Sequence, residues 1–438
     1  MSNEHGPVLT RPAATDRQKV AVLGLGYVGL PVALAAAGAG HDVVGFDVAE
    51  SRIAEIRAGR SELVDLDHDD LARRLASGSL TVTADRLALS ACEVFVLCVP
   101  TPLRDGRPDL SMLEGAVDTV AAAIRPGALV VVESTTWPGT TREVVVPRLA
   151  ERSGFAPEDV DVVFSPERID PGNARYPLAR IPKLVGGTTP SAAERAARFY
   201  RTFIDLVHIM SGPSEAELAK ILENTFRHVN LALVNELAVL CSDTGIDLRE
   251  AIDAAATKPF GYMPFYPGPG VGGHCIPVDP MYLMWQARRS GHTLQLIEVA
   301  EQINRSMPQH VVSRAGDVLN DVGKPVRGSR VLLLGVSYKP NVADVRESSA
   351  GPIVDRLLSR GAFVHWHDPL VRASFALPGA PRIPALDAAS LLAADLVVLH
   401  TPHEEYLGTA SWLAGVDAPV LDAHGALRGR GLPAVFGL

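Results

Sequence analysis

Lys19-Val20-Ala21-Val22-Leu23 is an unbroken apolar run that stops at Gly24-Leu25-Gly26-Tyr27-Val28-Gly29, and a stretch of small residues follows as far as Gly38-Ala39-Gly40. Strand, glycine turn and helix in that order commit the chain to a parallel sheet with crossover helices. Residues 41–47 read as the second strand, and Asp47 closes it eighteen residues after Gly29. An acid at that point is placed to bond a ribose 2'-hydroxyl, while the backbone of Gly24, Gly26, Tyr27, Val28 and Gly29 takes a dinucleotide diphosphate. The Asp47 carboxylate would repel a 2'-phosphate, so NAD is expected over NADP, although Arg52 close behind leaves the second open.

Apolar strands recur at 94–99, 129–132 and 160–164, which predicts a doubly wound sheet to about residue 210. Thr101 and Ser134-Thr135 follow two of these strands at the carboxyl edge, where cofactors lie; either could equally be a loop-capping hydroxyl. From Ser214 the pattern becomes a long helix, with Ser214-Glu215-Ala216-Glu217 as a capping box and apolar positions at Leu218, Ile221, Leu222, Leu231, Val234 and Leu237. Residues 258–280 are too rich in proline and glycine to be helical and must form a stiff loop. After Gly323-Lys324-Pro325 the strand and helix alternation returns. Residues 395–402 echo 93–102, and residues 363–369 end in an acid as the strand before Asp47 does. A second Rossmann-like unit without the glycine fingerprint is therefore expected, binding a different nucleotide. The resulting division is a flexible tail over 1–18, an NAD domain over 19–211, a central helical domain over 212–322 and a C-terminal domain over 323–438.

With 438 residues, 47% of them hydrophobic, the chain is long enough for two or three domains. A formal charge of -9 without a run of Lys or Arg argues against nucleic acid or an anionic membrane as a partner. The N-terminus lacks a secretion-signal pattern and no apolar stretch approaches a membrane span, so a cytoplasmic protein is expected. Cys92, Cys98, Cys241 and Cys275 form no paired metal spacing, and no metal is expected.

Cys275 lies in Gly270-Val271-Gly272-Gly273-His274-Cys275-Ile276-Pro277-Val278-Asp279-Pro280. Gly272 and Gly273 would let a ligand approach closely, and a thiol there becomes a nucleophile once a cation lowers its pKa; a tight structural turn is the plainer reading. The other three cysteines read as small buried hydrophobes. Lys220 and Asn224 stand four apart on one helix face, suited to negative charge growing on oxygen, against the default of a solvated stripe. Ser165-Pro166-Glu167-Arg168 offers a carboxylate and a guanidinium at a sheet edge, or merely an adjacent salt bridge. Phe260, Tyr262, Phe265 and Tyr266 could stack on a sugar or base, or pin the loop. Lys339 and Arg346 are placed for a diphosphate, or are surface charge.

Taken together, GLGYVGLP, the FDV acid, CVPTP, STTWPGTT, FSPER, EAELAKILENTFR, PGPGVGGHCIPVDP and YKPNVADVRES resemble the nucleotide-sugar 6-dehydrogenases of the UDP-glucose and GDP-mannose dehydrogenase family, over about residues 19–369. The resemblance implies a four-electron oxidation of a hexose C6 alcohol to a carboxylate with two NAD in succession. It implies that Cys275 carries a thiohemiacetal and then a thioester, that Lys220 and Asn224 stabilise the oxyanion, and that Asp279, Glu167 and Thr135 hold and activate water. It makes Lys339 a nucleotide-sugar contact and Arg346 a cofactor diphosphate contact. Arg168, Lys258, Phe265, Tyr266 and Gly273 stand as further substrate contacts. The family architecture is two Rossmann-like domains joined by a long helix that forms a homodimer core. Arg168 to Asn173 and Lys258 to Met263 are closer to bacterial enzymes acting on UDP-N-acetylglucosamine. Pro171 stands where UDP-glucose members often carry a second glutamate, and the arginine that many members donate across the dimer has no clear match.

UDP-N-acetylglucosamine is therefore the expected substrate, with UDP-glucose next and a dTDP-hexose such as dTDP-glucose open. Two other classes compete: a two-electron dehydrogenase of the 3-hydroxy-acid type, in which Cys275 would be idle, and a sensor that binds both ligands without turnover.

Overall fold

The computed structural model describes residues 17–61, 63, 66–170, 175–273, 275–408, 418–430 and 434–438, without the side chains of 388 and 389. The expected tail, 1–18, lies almost wholly outside this set, as do Pro171, Gly172, Asn173 and His274. The chain divides into two compact units, one holding residues up to 223 with 281–292, the other 224–280 with 293–438.

In the first unit the strands are β1 (Lys19–Leu23), β2 (Asp42–Phe46), β3 (Leu80–Thr83), β4 (Val94–Leu97), a short hairpin of β5 (Leu103–Arg104) and β6 (Arg107–Pro108), β7 (Leu129–Val132), β8 (Asp161–Phe164), β9 (Lys183–Gly187) and β10 (Val207–Met210). The helices are α1 (Gly29–Gly38), α2 (Glu50–Arg57), α3 (His68–Ser77), α4 (Ser111–Ala121), α5 (Val146–Ser153) and α6 (Pro190–Arg201). Eight strands make one sheet in the order β10-β9-β8-β7-β4-β1-β2-β3. The order reverses between β1 and β4, which is the switch point where a doubly wound sheet takes its ligand. Val20, Val22, Val94, Val96, Leu129 and Val131 are all 0% exposed, as strands covered by helices on both faces must be. The doubly wound reading needs one correction: β8 and β9 pair antiparallel, while β9 and β10 are parallel. A parallel neighbour requires a crossover, usually helical. The only regular element between β8 and β9 among the described residues is a turn of 3-10 helix at Leu178–Arg180, whereas α6 links β9 to β10.

Helix α7 (Pro213–Thr244) begins at the end of the first unit and supplies the opening element of the second. The predicted capping box at its start is not formed. Glu217 is 0% exposed, and its carboxylate instead accepts the N–H groups of Gly139 at 2.6 Å and Thr141 at 2.8 Å, and the Thr141 hydroxyl at 2.6 Å. A buried carboxylate needs several donors, and the turn after β7 offers more than one helix N-terminus can. Helices α8 (Leu248–Ala256), α9 (Asp279–Arg289), α10 (Gln295–Asp321) and α11 (Ala350–Ser359) follow.

The second unit's strands are β11 (Arg330–Leu334), β12 (Phe363–His367), β13 (Leu396–Leu399), β14 (Val420–Asp422) and β15 (Val435–Gly437), in the all-parallel order β12-β11-β13-β14-β15. The last strand was not anticipated. Val311, Ala315 and Leu319 of α10 pack with Val331, Leu333, Ile353 and Leu357 in its core. The echo between the two halves extends to hydrogen bonding. Asp47 accepts the N–H of Leu25 at 2.9 Å, and Asp368 accepts that of Val336 at 2.8 Å; each acid, after the second strand of its unit, ties down the turn after the first. Burial by itself would raise the Asp368 carboxyl, but His403 beside it and the N–H groups of Val336 and Leu370 hold it at about 2.

Candidate active site

In the first unit the glycine turn is shaped by its own backbone. Gly24 has φ +89°, and a Cβ on Gly29 would lie 1.8 Å from the Gly24 carbonyl oxygen. Around Gly26 nothing lies within 4 Å of a Cβ position. The crowded glycines close the turn and the open one leaves its backbone accessible, which is the cradle a dinucleotide diphosphate fits. Asp47 is buried; besides Leu25 it binds the N–H of Ala49 at 2.9 Å, and Arg52 reaches it at 3.3 Å. Tyr27 and Val28 are half-buried above the turn.

The hydroxyls after β4 and β7 turn to the backbone. Thr101 donates to the Thr135 carbonyl at 2.7 Å, and Ser134 to the Val99 carbonyl at 2.7 Å. Both therefore tie the loops at the carboxyl edge together, and Thr135 itself is half-buried beside them. Tyr282 of α9 adds a hydrogen bond to the Thr101 carbonyl at 2.6 Å.

Glu167 and Lys220 are 8% exposed, so neither is the solvated group that its residue type leads one to expect. Burial raises the Glu167 carboxyl, against which the charges of Lys220 and then Lys183 act to lower it. One carboxylate oxygen of Glu167 accepts the Ile169 N–H; the other, Oε2, is buried with no hydrogen-bonding partner among the described residues. Arg168 does not pair with its neighbour. It pairs with Glu223 of α7 at 2.6 Å and donates to the Pro182 carbonyl at 2.6 Å, because alternation along an extended segment sends adjacent side chains to opposite sides.

In the second unit Cys275 is exposed, one turn before α9. Its carbonyl accepts the N–H groups of Val278 at 3.1 Å and Asp279 at 2.8 Å, so the helix start holds the cysteine's backbone. Asp279 is buried and accepts a hydrogen bond from the Asn224 amide. Cys275, Asp279 and Asn224 are thus connected through one turn of backbone and one side-chain contact.

The clearance expected over Gly272 and Gly273 is filled by the protein. Their Cβ positions would lie 2.7 Å from the Tyr338 Cβ and 2.8 Å from the Tyr338 ring, and the Gly273 N–H donates to the Arg346 carbonyl at 3.0 Å. These glycines let the cysteine loop lie closely against Tyr338. Arg346 itself forms an ion pair with Asp344, and Lys339 is half-buried nearby in sequence. Of the loop's aromatics, Phe265 packs edge-on to Phe226 at 5.8 Å, and Tyr266 donates to Asp253 at 2.7 Å under the Arg249 guanidinium. Both pin the loop. Lys258 is exposed, its ammonium 5.0 Å over the Phe260 ring.

Two amides that the motif reading passed over anchor the same loop. Asn235 accepts the Gly268 N–H at 3.0 Å and donates to Asn304 at 2.9 Å; Asn304 donates to the His228 carbonyl at 3.1 Å. The signal was available for Asn304, which falls in register with Ile297, Ala300 and Val311 on the buried face of α10. A polar residue at an apolar position is usually there to bind something.

Three domain descriptions match in order: the UDP-glucose/GDP-mannose dehydrogenase family's NAD binding domain at 18–204, its central domain at 214–306 and its UDP binding domain at 332–428. The chain belongs to the UDP-glucose/GDP-mannose dehydrogenase family. The dehydrogenase is 38% identical to the UDP-N-acetyl-D-glucosamine 6-dehydrogenase of Pseudomonas aeruginosa, over 89% of this chain and 91% of that one. Its fold is similar to that of the UDP-D-ManNAc dehydrogenase of Pyrococcus horikoshii, with TM-score 0.87, 33% identity and coverage of 96% and 98%. A UDP-glucose dehydrogenase of Pyrobaculum islandicum also matches, with TM-score 0.87, 29% identity and coverage of 97% and 98%. The dehydrogenase is an NAD-dependent oxidoreductase acting on a nucleotide sugar. No helix among its described residues is long and apolar enough to cross a membrane.

Proposed function

We propose that the dehydrogenase oxidises the C6 hydroxymethyl group of a UDP-N-acetylhexosamine, UDP-N-acetylglucosamine first, to the carboxylate by way of a thioester on Cys275. The observation that carries this reading is the exposed Cys275 whose backbone is fastened to the start of α9, with Asp279 and Asn224 joined beside it. NAD, when bound, supplies the hydride acceptor, twice per sugar.

The residues then divide the work. In the first stage the alcohol loses a hydride and a proton to become the aldehyde, and Lys220 and Asn224 stabilise the negative charge that grows on oxygen. The Cys275 thiolate next adds to the aldehyde carbon and the oxygen takes a proton, giving the thiohemiacetal. Loss of a second hydride and of the hydroxyl proton leaves the thioester. Water held by Glu167, Asp279 and Thr135 attacks the thioester carbon, and the carbon–sulfur bond breaks to return the thiol and release the acid. A direct route would require hydride loss from an aldehyde with no tetrahedral centre, which the cysteine adduct provides. Arg168 to Asn173 and Lys258 to Met263 support the N-acetylated sugar, as does the likeness to the UDP-N-acetyl-D-glucosamine 6-dehydrogenase of Pseudomonas aeruginosa.

The test is NADH counted per sugar, with NAD in excess and limiting UDP-N-acetylglucosamine, UDP-glucose or dTDP-glucose offered in parallel. Two NADH from UDP-N-acetylglucosamine is the expected result. One NADH from every sugar would overturn the four-electron route, and two from another sugar alone would overturn the substrate.

We also propose a homodimer built on α7. This helix exposes Leu222 (60%), Leu233 (53%), Leu237 (37%) and Leu240 (55%), an apolar stripe that water would leave uncovered in a monomer. Light scattering should give twice the chain mass, and a Leu233→Asp/Leu240→Asp variant should give the single mass. A monomeric parent would refute the arrangement.

A further inference from the structure

Close to Glu167 lies a buried ion pair that neither the motifs nor the proposed mechanism uses. Lys183, the first residue of β9, is 5% exposed, and its ammonium stands 2.8 Å from Glu133, which follows β7 and is 1% exposed. Tyr200 of α6, 0% exposed, donates to the other oxygen of Glu133 at 2.5 Å and lies under the same ammonium, 4.9 Å from its ring centroid. The antiparallel register of β8 and β9 pairs Phe164 with Gly186. Continued three residues, it sets Lys183 opposite Glu167.

An ion pair taken wholly out of water rarely stabilises a fold more than packed hydrocarbon would, so its presence asks for another reason. Charge counting supplies one. The groups that act on Glu167 are Lys220 from α7, Lys183 from β9 and Glu133 from the end of β7; Cys98, after β4, and Tyr200 are the other titratable groups in the cluster. Two ammonium groups balance two carboxylates. Remove Lys183, and two buried carboxylates share one cation, a condition that the less stabilised of them relieves by binding a proton.

We propose that Lys183, anchored by Glu133 and Tyr200, is a positioning residue for thioester hydrolysis, supplying the second positive charge that keeps Glu167 a carboxylate able to take a proton from water. The inference rests on the role given to Glu167 above. Oε2 of Glu167, which has no hydrogen-bonding partner among the described residues, is the atom at which that proton would be received.

The experiment is the pH profile of turnover for the parent, Lys183→Met and Glu133→Gln, with acyl-enzyme on Cys275 followed by intact mass. Lys183→Met leaves excess negative charge, so the ascending limb moves to higher pH by about one unit, and on the acid side of that limb turnover falls about tenfold while the thioester accumulates and the KM for the sugar falls with kcat, leaving kcat/KM unchanged. Glu133→Gln leaves excess positive charge and keeps an acceptor for Tyr200, so the limb moves to lower pH. Opposite displacements are the expected result, since a merely structural pair gives both variants the same profile or the same loss. Displacements that coincide or vanish overturn the proposal. If Lys183→Met does not fold, the sign of the Glu133→Gln displacement decides. Glu167→Gln separates the two levels: undiminished hydrolysis there refutes the role of Glu167, while slowed hydrolysis with unmoved Lys183→Met and Glu133→Gln profiles refutes only the role of Lys183.

Discussion

Cys275→Ser is expected to cut the NADH yield from two per sugar to at most one and to lower steady turnover by about a thousandfold or more. A thiol with an ordinary pKa of about 8.5 is partly ionised at neutral pH, whereas a hydroxyl in the same place is not, and an alkoxide leaves an ester far less readily than a thiolate leaves a thioester. The first hydride transfer involves no bond to the cysteine, so a single burst of NADH should remain. Rapid-mixing absorbance at excess enzyme, followed by steady-state turnover, separates the two stages. A variant that still delivers two NADH per sugar at the parent rate would remove Cys275 from the mechanism. One NADH per sugar from parent and variant alike would favour the two-electron class.

Gly29→Ala should be the most damaging single methyl in the first unit. Its Cβ would lie 1.8 Å from the Gly24 carbonyl oxygen and 3.1 Å from the Cys98 Cβ, and neither backbone nor strand can retreat without opening the turn. A loss of about 3 kcal/mol follows from overpacking of this kind, or a fall in Tm of about 10 °C, together with weakened NAD binding. Gly26→Ala is the control. Its Cβ meets nothing within 4 Å, so stability should hold while NAD affinity drops. Calorimetry and NAD titration of the two variants check both effects; a Gly29→Ala protein that melts with the parent would mean that the turn is not held as described.

Local order was legible wherever a motif is also a backbone conformation. The run from Lys19 to Gly29 forms strand, turn and helix because an apolar strand, positive-φ glycine and small helical residues each admit few alternatives. The breaks around Cys275 kept that residue out of a helix and exposed, as its proline and glycine neighbours required. The parallel second sheet and the acid that closes its second strand were readable for the same reason, since both are repetitions of a pattern already present in the first half.

Partner choice was not legible, because it is made across the fold. Glu217 has the spacing of a capping box yet binds Gly139 and Thr141, seventy-odd residues earlier. Arg168 adjoins Glu167 and pairs with Glu223. Gly272 and Gly273 look like room for a ligand and are occupied by Tyr338. In each case the local candidate loses to a distant group that packing brings closer, and for Glu217 that group also meets the cost of leaving a buried carboxylate unpaired. The sequence by itself determined the family of folds, the cofactor and the exposed cysteine, since short-range sterics and periodicity act on neighbours. Only the tertiary structure decided which lysines are buried and whose charge each carboxylate feels, because electrostatics in a low-dielectric interior depends on distance in space and on exclusion of water.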